Sequence, residues 1–326
     1  MDKIVYQIDS DAQGSQEDAM TASTMPQAVE IVEVSPRDGL QNEATILPTS
    51  VKAELVRRSL DAGVRRIEVT AFARPDRVPQ MADAEDLMAA VRDDPRLSAI
   101  GLVLNRRGLD RAIAAGCDEV TVVVVSSEGL AVRNQGVGTY DQVAAWHAIA
   151  PVARAAGLRT SVILAAAFGC PFDGEVPTSR VRDVAAAVLD EAPDELAVAD
   201  TIGVGVPTQV TELVSALGDL APDVPLRAHF HNTRNTGYAN ALAAVQAGVS
   251  VLDASAGGIG GCPFAPGATG NVATEDLLYL LHRSGFTTGV DPTQVAETGA
   301  WISDQLGLPQ APAQLGRAGW FPSRGQ

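Results

Sequence analysis

Ala114-Ala115-Gly116-Cys117, Ala155-Ala156-Gly157-Leu158 and Gln246-Ala247-Gly248-Val249 are three copies of one device. Each closes an alanine-rich stretch of helical period with a glycine and passes directly into a run of β-formers. Glycine accepts the left-handed backbone that ends a helix, so the pattern reads as helix, C′ glycine, strand. Working outward, short β-rich runs recur at 29–34, 66–71, 99–104, 119–125, 160–165, 195–199, 226–230 and 249–254. Segments of helical period lie between them at 50–62, 81–91, 109–115, 142–156, 180–191, 208–220 and 238–247. Strands alternating with helices imply a parallel sheet. Eight such units over about 250 residues fit a (β/α)8 TIM barrel better than a doubly wound sheet. No GxGxxG dinucleotide fingerprint follows the first strand.

Composition narrows the chemistry. The 326 residues are 46% apolar and 4% aromatic, with 40 acidic against 24 basic side chains and a net charge of −16. Only Lys3 and Lys52 among the basic residues are lysines. Neither follows a glycine loop, which excludes a P-loop NTPase, and few amines remain for Schiff-base chemistry. An acidic chain with no basic patch is a poor ligand for nucleic acid, whose phosphates supply most non-specific affinity. Cys117, Cys170 and Cys262 are too few and scattered for a disulfide framework or a zinc finger. The first residues lack an apolar signal region, and no stretch has the roughly 20 apolar residues of a membrane span. A cytoplasmic chain without membrane or nucleic-acid partners is expected. Residues 1–28 are expected to be a disordered extension, 29–305 the barrel, and 306–326 an extended tail pinned by Trp320 and Phe321.

Barrels of this class place their chemistry at the C-terminal strand ends. There the first strand leads to Ser35-Pro36-Arg37-Asp38-Gly39, the second holds Glu68 and Thr70, and the sixth ends in Asp200-Thr201. The seventh ends in His229-Phe230-His231-Asn232, and the eighth passes through Asp253 and Ser255 into a glycine-rich loop. Residues i and i+2 of a strand face the same way, so His229 and His231 can point into one site. With Asp38 as a carboxylate ligand they suggest a divalent metal; the alternative is two satisfied polar residues at a strand end. Mixed imidazole and carboxylate ligation with open positions suits Mg2+ or Mn2+ rather than a closed structural zinc. Glu68 lies in the apolar run Ile67-Glu68-Val69 and needs a partner, for which Arg37 is the obvious candidate. Asp200 is similar, or caps the following helix. The stretch from Asp253 to Asn271 resembles a catalytic lid, from which Cys262 would deliver or accept a proton. The alternative is a flexible loop with an incidental cysteine. Cys170, after the fifth strand, is a weaker candidate, and Cys117 reads as core.

Residues 32–43 (VEVSPRDGLQNE), 65–83, 167–176, 199–207, AHFHN at 228–232 and GGIGGCPFAPGATGNVATEDLLYLL at 257–281 together resemble 3-hydroxy-3-methylglutaryl-CoA lyase. That family belongs to the metal-dependent pyruvate carboxyltransferase-like barrels. The resemblance spans roughly residues 29–304. It implies metal-dependent cleavage of 3-hydroxy-3-methylglutaryl-CoA to acetyl-CoA and acetoacetate, with Mg2+ or Mn2+ as cofactor. The implied metal ligands are Asp38, His229, His231 and Asn271. Arg37 would stabilise the enolate oxygen, Cys262 would protonate from the lid, and Glu68 would support Arg37 and Asp38. Asp200 is a further catalytic candidate, and Gln41, Thr201 and Arg234 join Arg37 as substrate-binding candidates. Asp38 or a water on the metal are the alternatives for taking the hydroxyl proton. A homodimer or higher homo-oligomer is expected. After His231 the family commonly continues Asp-Thr-Tyr-Gly-Gln, whereas this chain has Asn232-Thr233-Arg234-Asn235-Thr236. It also has Leu130 where an aromatic is usual. Arg234 would then receive an extra substrate carboxylate, or pair with an acid on the rim. A related branched or citramalyl-type thioester is the alternative substrate, with a condensing synthase and a non-catalytic scaffold behind it.

Overall fold

The computed structural model describes residues 27–261, 270–309 and 311–322. All eight expected strands form: β1 (Glu30–Glu33), β2 (Arg66–Ala71), β3 (Ser98–Leu102), β4 (Glu119–Val125), β5 (Arg159–Ala165), β6 (Glu195–Asp200), β7 (Leu226–Phe230) and β8 (Val251–Ala254). They are parallel and pair in sequence order, and β1 closes the circle by pairing Glu30 to Val251 and Glu33 to Ala254. The fold is thus a (β/α)8 barrel. The glycine device behaves as its chemistry dictates at Gly116, whose φ of 81° ends the helix Arg106–Ala115 while its N–H bonds back to Ala112 and Ile113. The expected helices form within a few residues of their anticipated bounds.

Four features differ from expectation. A short helix, Glu128–Gln135, follows β4; it buries only Leu130 and Ala131, too little to print a helical period on the sequence. Helices Thr274–Arg283 and Pro292–Leu306 complete the outer ring after β8. The tail beyond Leu306 is not a simple extended arm. Asp276 accepts the backbone N–H groups of Gln314 and Leu315, Ala313 bonds to Gly257, and Leu315–Ala318 makes one helical turn. Trp320 rests edge-on against Tyr279, but Phe321 is largely exposed. At the other end, Gln27 and Ala28 of the anticipated extension are tied to Thr287. No helix among the described residues is long and apolar enough to cross a membrane.

The main apolar core fills the space between the strands and the helix ring. Inside the barrel the packing is unusual. Its lower layer is ionic: Arg66 forms paired contacts of 2.7–2.9 Å with Glu119 and Glu195, and Arg227 reaches Glu195 at 3.2 Å. All four are almost completely buried. Such a layer gains little over an apolar one, but removing one partner strands the others in low dielectric. Above it, β4–β6 contribute Val123, Ile163, Ala197 and Ala199 as a purely apolar wall. Lys52, on the first outer helix, is sealed against Asp83 and the Gln80 carbonyl, far from any Schiff-base role. We expect Arg66→Met to lower the unfolding free energy by about 3–5 kcal/mol, measured by denaturant melts, because Glu119 and Glu195 lose their shared cation.

Candidate active site

The polar side of the barrel mouth is built by β1, β2, β7 and β8. Just beyond β1 the chain makes one wide helical turn, Ser35–Gly39, with the N–H groups of Arg37, Asp38 and Gly39 all directed at the Val34 carbonyl. This turn brings Arg37 to Glu68 and Asp38 to Asn271. Gly39 is required there because a Cβ would lie 2.9 Å from Ile259 and 3.0 Å from Ser255, at the base of the glycine-rich loop. His229 and His231 face the same way, with ring centroids 5.2 Å apart. Donor atoms of Asp38, His229 and His231 all lie within 4.8 Å of one another. Asn271 is held opposite His231 by a backbone bridge and donates Nδ2 to Asp38 Oδ2 at 2.9 Å.

Arg37 sits between two carboxylates, 2.7 Å from Asp38 Oδ1 and 2.6 Å from Glu68 Oε2. Burial opposes charge on Asp38, yet the guanidinium and the two imidazoles hold its carboxyl well below the usual range. Burial pushes Glu68 upward against the pull of Arg37. The two histidines diverge. Burial and the neighbouring imidazole push His231 down to about 4, whereas for His229 the hydrogen bond to Asp253 and the Asp38 charge outweigh burial and raise it. A neutral His231 presents a lone pair, which a metal ligand requires.

The residues present fit a divalent cation. His231 Nδ1 and Asn271 Oδ1 are buried with no hydrogen-bond partner, a costly state that a bound ion would relieve. The barrel interior also places the carboxylates of Asp38, Glu68, Glu119, Glu195 and Asp253 against the guanidiniums of Arg37, Arg66 and Arg227, with Arg159 reaching Glu195 at 3.2 Å from the rim. With both imidazoles neutral, these five carboxylates outnumber the four guanidiniums by one.

Other expected site residues are placed differently. Both Asp200 oxygens accept backbone N–H groups, from Val204 and Gly205 at 2.9 Å, so this carboxylate organises the loop after β6 rather than capping the next helix or facing the centre unengaged. Thr201 Oγ1 accepts the N–H of Ala166, whose φ is +53°. Arg234 spends Nη1 on the carbonyls of Ile202 and Gly203, so it latches a loop instead of pairing with an acid on the rim. Gln41 is half-buried in the segment after the turn, and its neighbour Asn42 donates to the Gly261 carbonyl. Cys262 lies outside the described residues. Cys170 Sγ accepts the Phe172 and Asp173 N–H groups, and burial pushes the Cys117 thiol up to about 12, consistent with an inert core residue.

Sequence reasoning missed two buried carboxylates behind the site. Glu33 accepts N–H groups from Ser35 and Ala256 and the Thr274 hydroxyl, tying the exits of β1 and β8 together. Glu275 accepts the N–H of Gly257, which sits at φ +74° at the root of the glycine-rich loop. The available signal was the alternation Val32-Glu33-Val34, which turns Glu33 away from the barrel axis into apolar packing. Burial pushes Glu275 up to about 8. An acid whose folded pKa is raised loses stability as pH climbs from its unfolded value, about 4.5, through that folded value. Glu275→Gln should therefore gain thermal stability relative to the parent chain between about pH 5 and pH 8 and keep a constant difference above that; a difference independent of pH would contradict the shift.

The chain matches the family described as HMGL-like over residues 28–302. It is 44% identical to (R)-citramalyl-CoA lyase of Chloroflexus aurantiacus, covering 90% of this chain and 95% of that one. It is 39% identical to the mitochondrial hydroxymethylglutaryl-CoA lyase of Rattus norvegicus, over 87% of each chain. An HMG-CoA lyase of Acinetobacter baumannii, solved with coenzyme A and 3-methylmalate, superposes with a TM-score of 0.87 at 33% identity, covering 92% of this chain and 98% of that one. With a closed parallel barrel and this degree of likeness, the chain belongs to the HMGL-like family and is a carbon–carbon lyase of the HMG-CoA lyase group.

Proposed function

We propose that the chain cleaves the C2–C3 bond of 3-hydroxy-3-methylglutaryl-CoA, giving acetyl-CoA and acetoacetate with the aid of Mg2+ or Mn2+. The observation that carries this reading is the Asp38, His229 and His231 cluster with Arg37 beside it at the barrel mouth. In such a cleavage the C3 hydroxyl loses its proton and C3 becomes a ketone. The bonding electron pair moves onto the thioester as an enolate, and C2 is then protonated. A divalent cation at Asp38, His229, His231 and Asn271 would supply Lewis acidity to the hydroxyl and fix hydroxyl and carboxylate oxygens together.

The chain's own groups supply the rest. Arg37, locked by Glu68 and Asp38, offers a fixed positive charge to the developing enolate oxygen. The C3 hydroxyl proton would pass to Asp38 or to a water held at the site. Val123, Ile163 and Ala199 form an apolar wall suited to the substrate methyl group. Cys262 is the proposed acid for C2, on the resemblance of its loop. A second reading, (R)-citramalyl-CoA cleaved to acetyl-CoA and pyruvate, has its own support. The similarity to the Chloroflexus lyase is higher, and Asn232-Thr233-Arg234 departs from the common lyase pattern.

Both thioesters should be assayed with Mn2+ or Mg2+, before and after chelation. Cleavage of 3-hydroxy-3-methylglutaryl-CoA that vanishes with chelator and returns with metal is the expected result. Activity confined to citramalyl-CoA would transfer the assignment to the second reading, and metal-independent cleavage would overturn the mechanism. Arg37→Gln should lower kcat by about 100- to 1,000-fold, as for loss of an oxyanion donor, with less effect on KM.

A further inference from the structure

We propose that Asp253 is a positioning residue for the metal centre: it fixes the ring and tautomer of His229 and couples that ligand to the ionic layer at the bottom of the barrel. This inference rests on the metal centre of the proposed function. The pairing of β8 with β7 sets Asp253 directly beside His229, and both side chains point inward. Asp253 Oδ2 lies 3.3 Å from His229 Nδ1. Its other oxygen is 3.5 Å from Arg227 Nε, which in turn sits 3.2 Å from Glu195. Glu195 shares Arg66 with Glu119, so the chain of charged groups runs from the lower layer up to the mouth.

The consequence for the imidazole follows from hydrogen-bond chemistry. An ionised carboxylate only accepts, so the nitrogen facing Asp253 must carry the proton. His229 is then held as the Nδ1–H tautomer, leaving the Nε2 lone pair for the ligand set. A carboxylate behind a ligating histidine fixes ring orientation and raises ligand basicity. Among the described residues no carboxylate is hydrogen-bonded to the His231 ring as Asp253 is to that of His229. The two ligands are therefore unequal, and His229 is the one held in place before the cation arrives. Asp253 also contributes to the interior charge excess that the cation balances.

The test is Mn2+ affinity, measured by the electron paramagnetic resonance of free Mn2+, on the full chain and on Asp253→Asn and Asp253→Glu. Asp253→Asn should weaken Mn2+ binding by about 10- to 100-fold in protein that circular dichroism shows to be folded at the assay temperature, since loss of the Arg227 partner also lowers the melting temperature. Asp253→Glu, which keeps the carboxylate, should recover part of the loss. Mn2+ affinity in Asp253→Asn equal to that of the parent chain would overturn the proposal. A parent chain that binds no Mn2+ would instead overturn the metal centre itself. The unaltered protein supplies an independent measurement. It has four histidines, so the ring nitrogens of the cadmium-loaded, 15N-histidine-labelled protein can be resolved by NMR. Protonated Nδ1 and cadmium-coupled Nε2 are expected at His229, and the opposite tautomer would refute the assignment even if the variants do not fold.

Discussion

Charge balance inside a closed barrel is the constraint on which the rest of this structure depends. A barrel interior shields its contents from water, and isolated charges there are expensive. This one nevertheless accepts carboxylates from β2, β4, β6 and β8 and from the turn after β1, with guanidiniums threaded between them. At the bottom the arrangement is nearly self-contained, with Arg66 gripping two glutamates. Towards the mouth it is deliberately incomplete. Orphaned donor atoms and surplus negative charge accumulate on one side, facing an uncharged wall on the other. That division separates the place where charge is handled from the place where a hydrocarbon branch can rest.

The loops above the barrel are fixed by the same kind of contact. Glu33 joins the ends of β1 and β8, Asp200 holds the loop after β6, and Arg234 crosses to that loop from the segment after β7. Each is a charged side chain engaged with backbone groups, and Glu33 takes the Thr274 hydroxyl as well. The site is therefore framed by main chain held in place, with the functional side chains projecting from it. The C-terminal tail adds another tie, from Ala313 to Gly257, at the point where the glycine-rich loop leaves β8.

The architecture was legible because its signals are local. A glycine after an alanine-rich helix, repeated before successive strands, needs no tertiary information to interpret. Ionisable residues at the C-terminal ends of apolar strands were equally visible, and Asp38, Glu68, His229 and His231 converge as their alternation demands. The ionic lower layer was not visible. Arg66, Glu119 and Glu195 open their strands, where a charge ordinarily reads as the solvated rim of a barrel, and only closure of the sheet brings them together. Arg234 illustrates the reverse difficulty. Its neighbourhood in sequence suggested a partner among substrate or acidic groups, whereas its Nη1 is taken by carbonyls from another loop.

The lysine on the first outer helix has a practical consequence. Lys52 is the one primary side-chain amine among the described residues, and it is 1% exposed, with its ammonium enclosed by Asp83 and the Gln80 carbonyl. The other lysine, Lys3, belongs to the first 26 residues. Amine-directed coupling thus leaves the described barrel surface unmodified. A fluorescently tagged or immobilised preparation made this way would keep the mouth of the barrel chemically untouched.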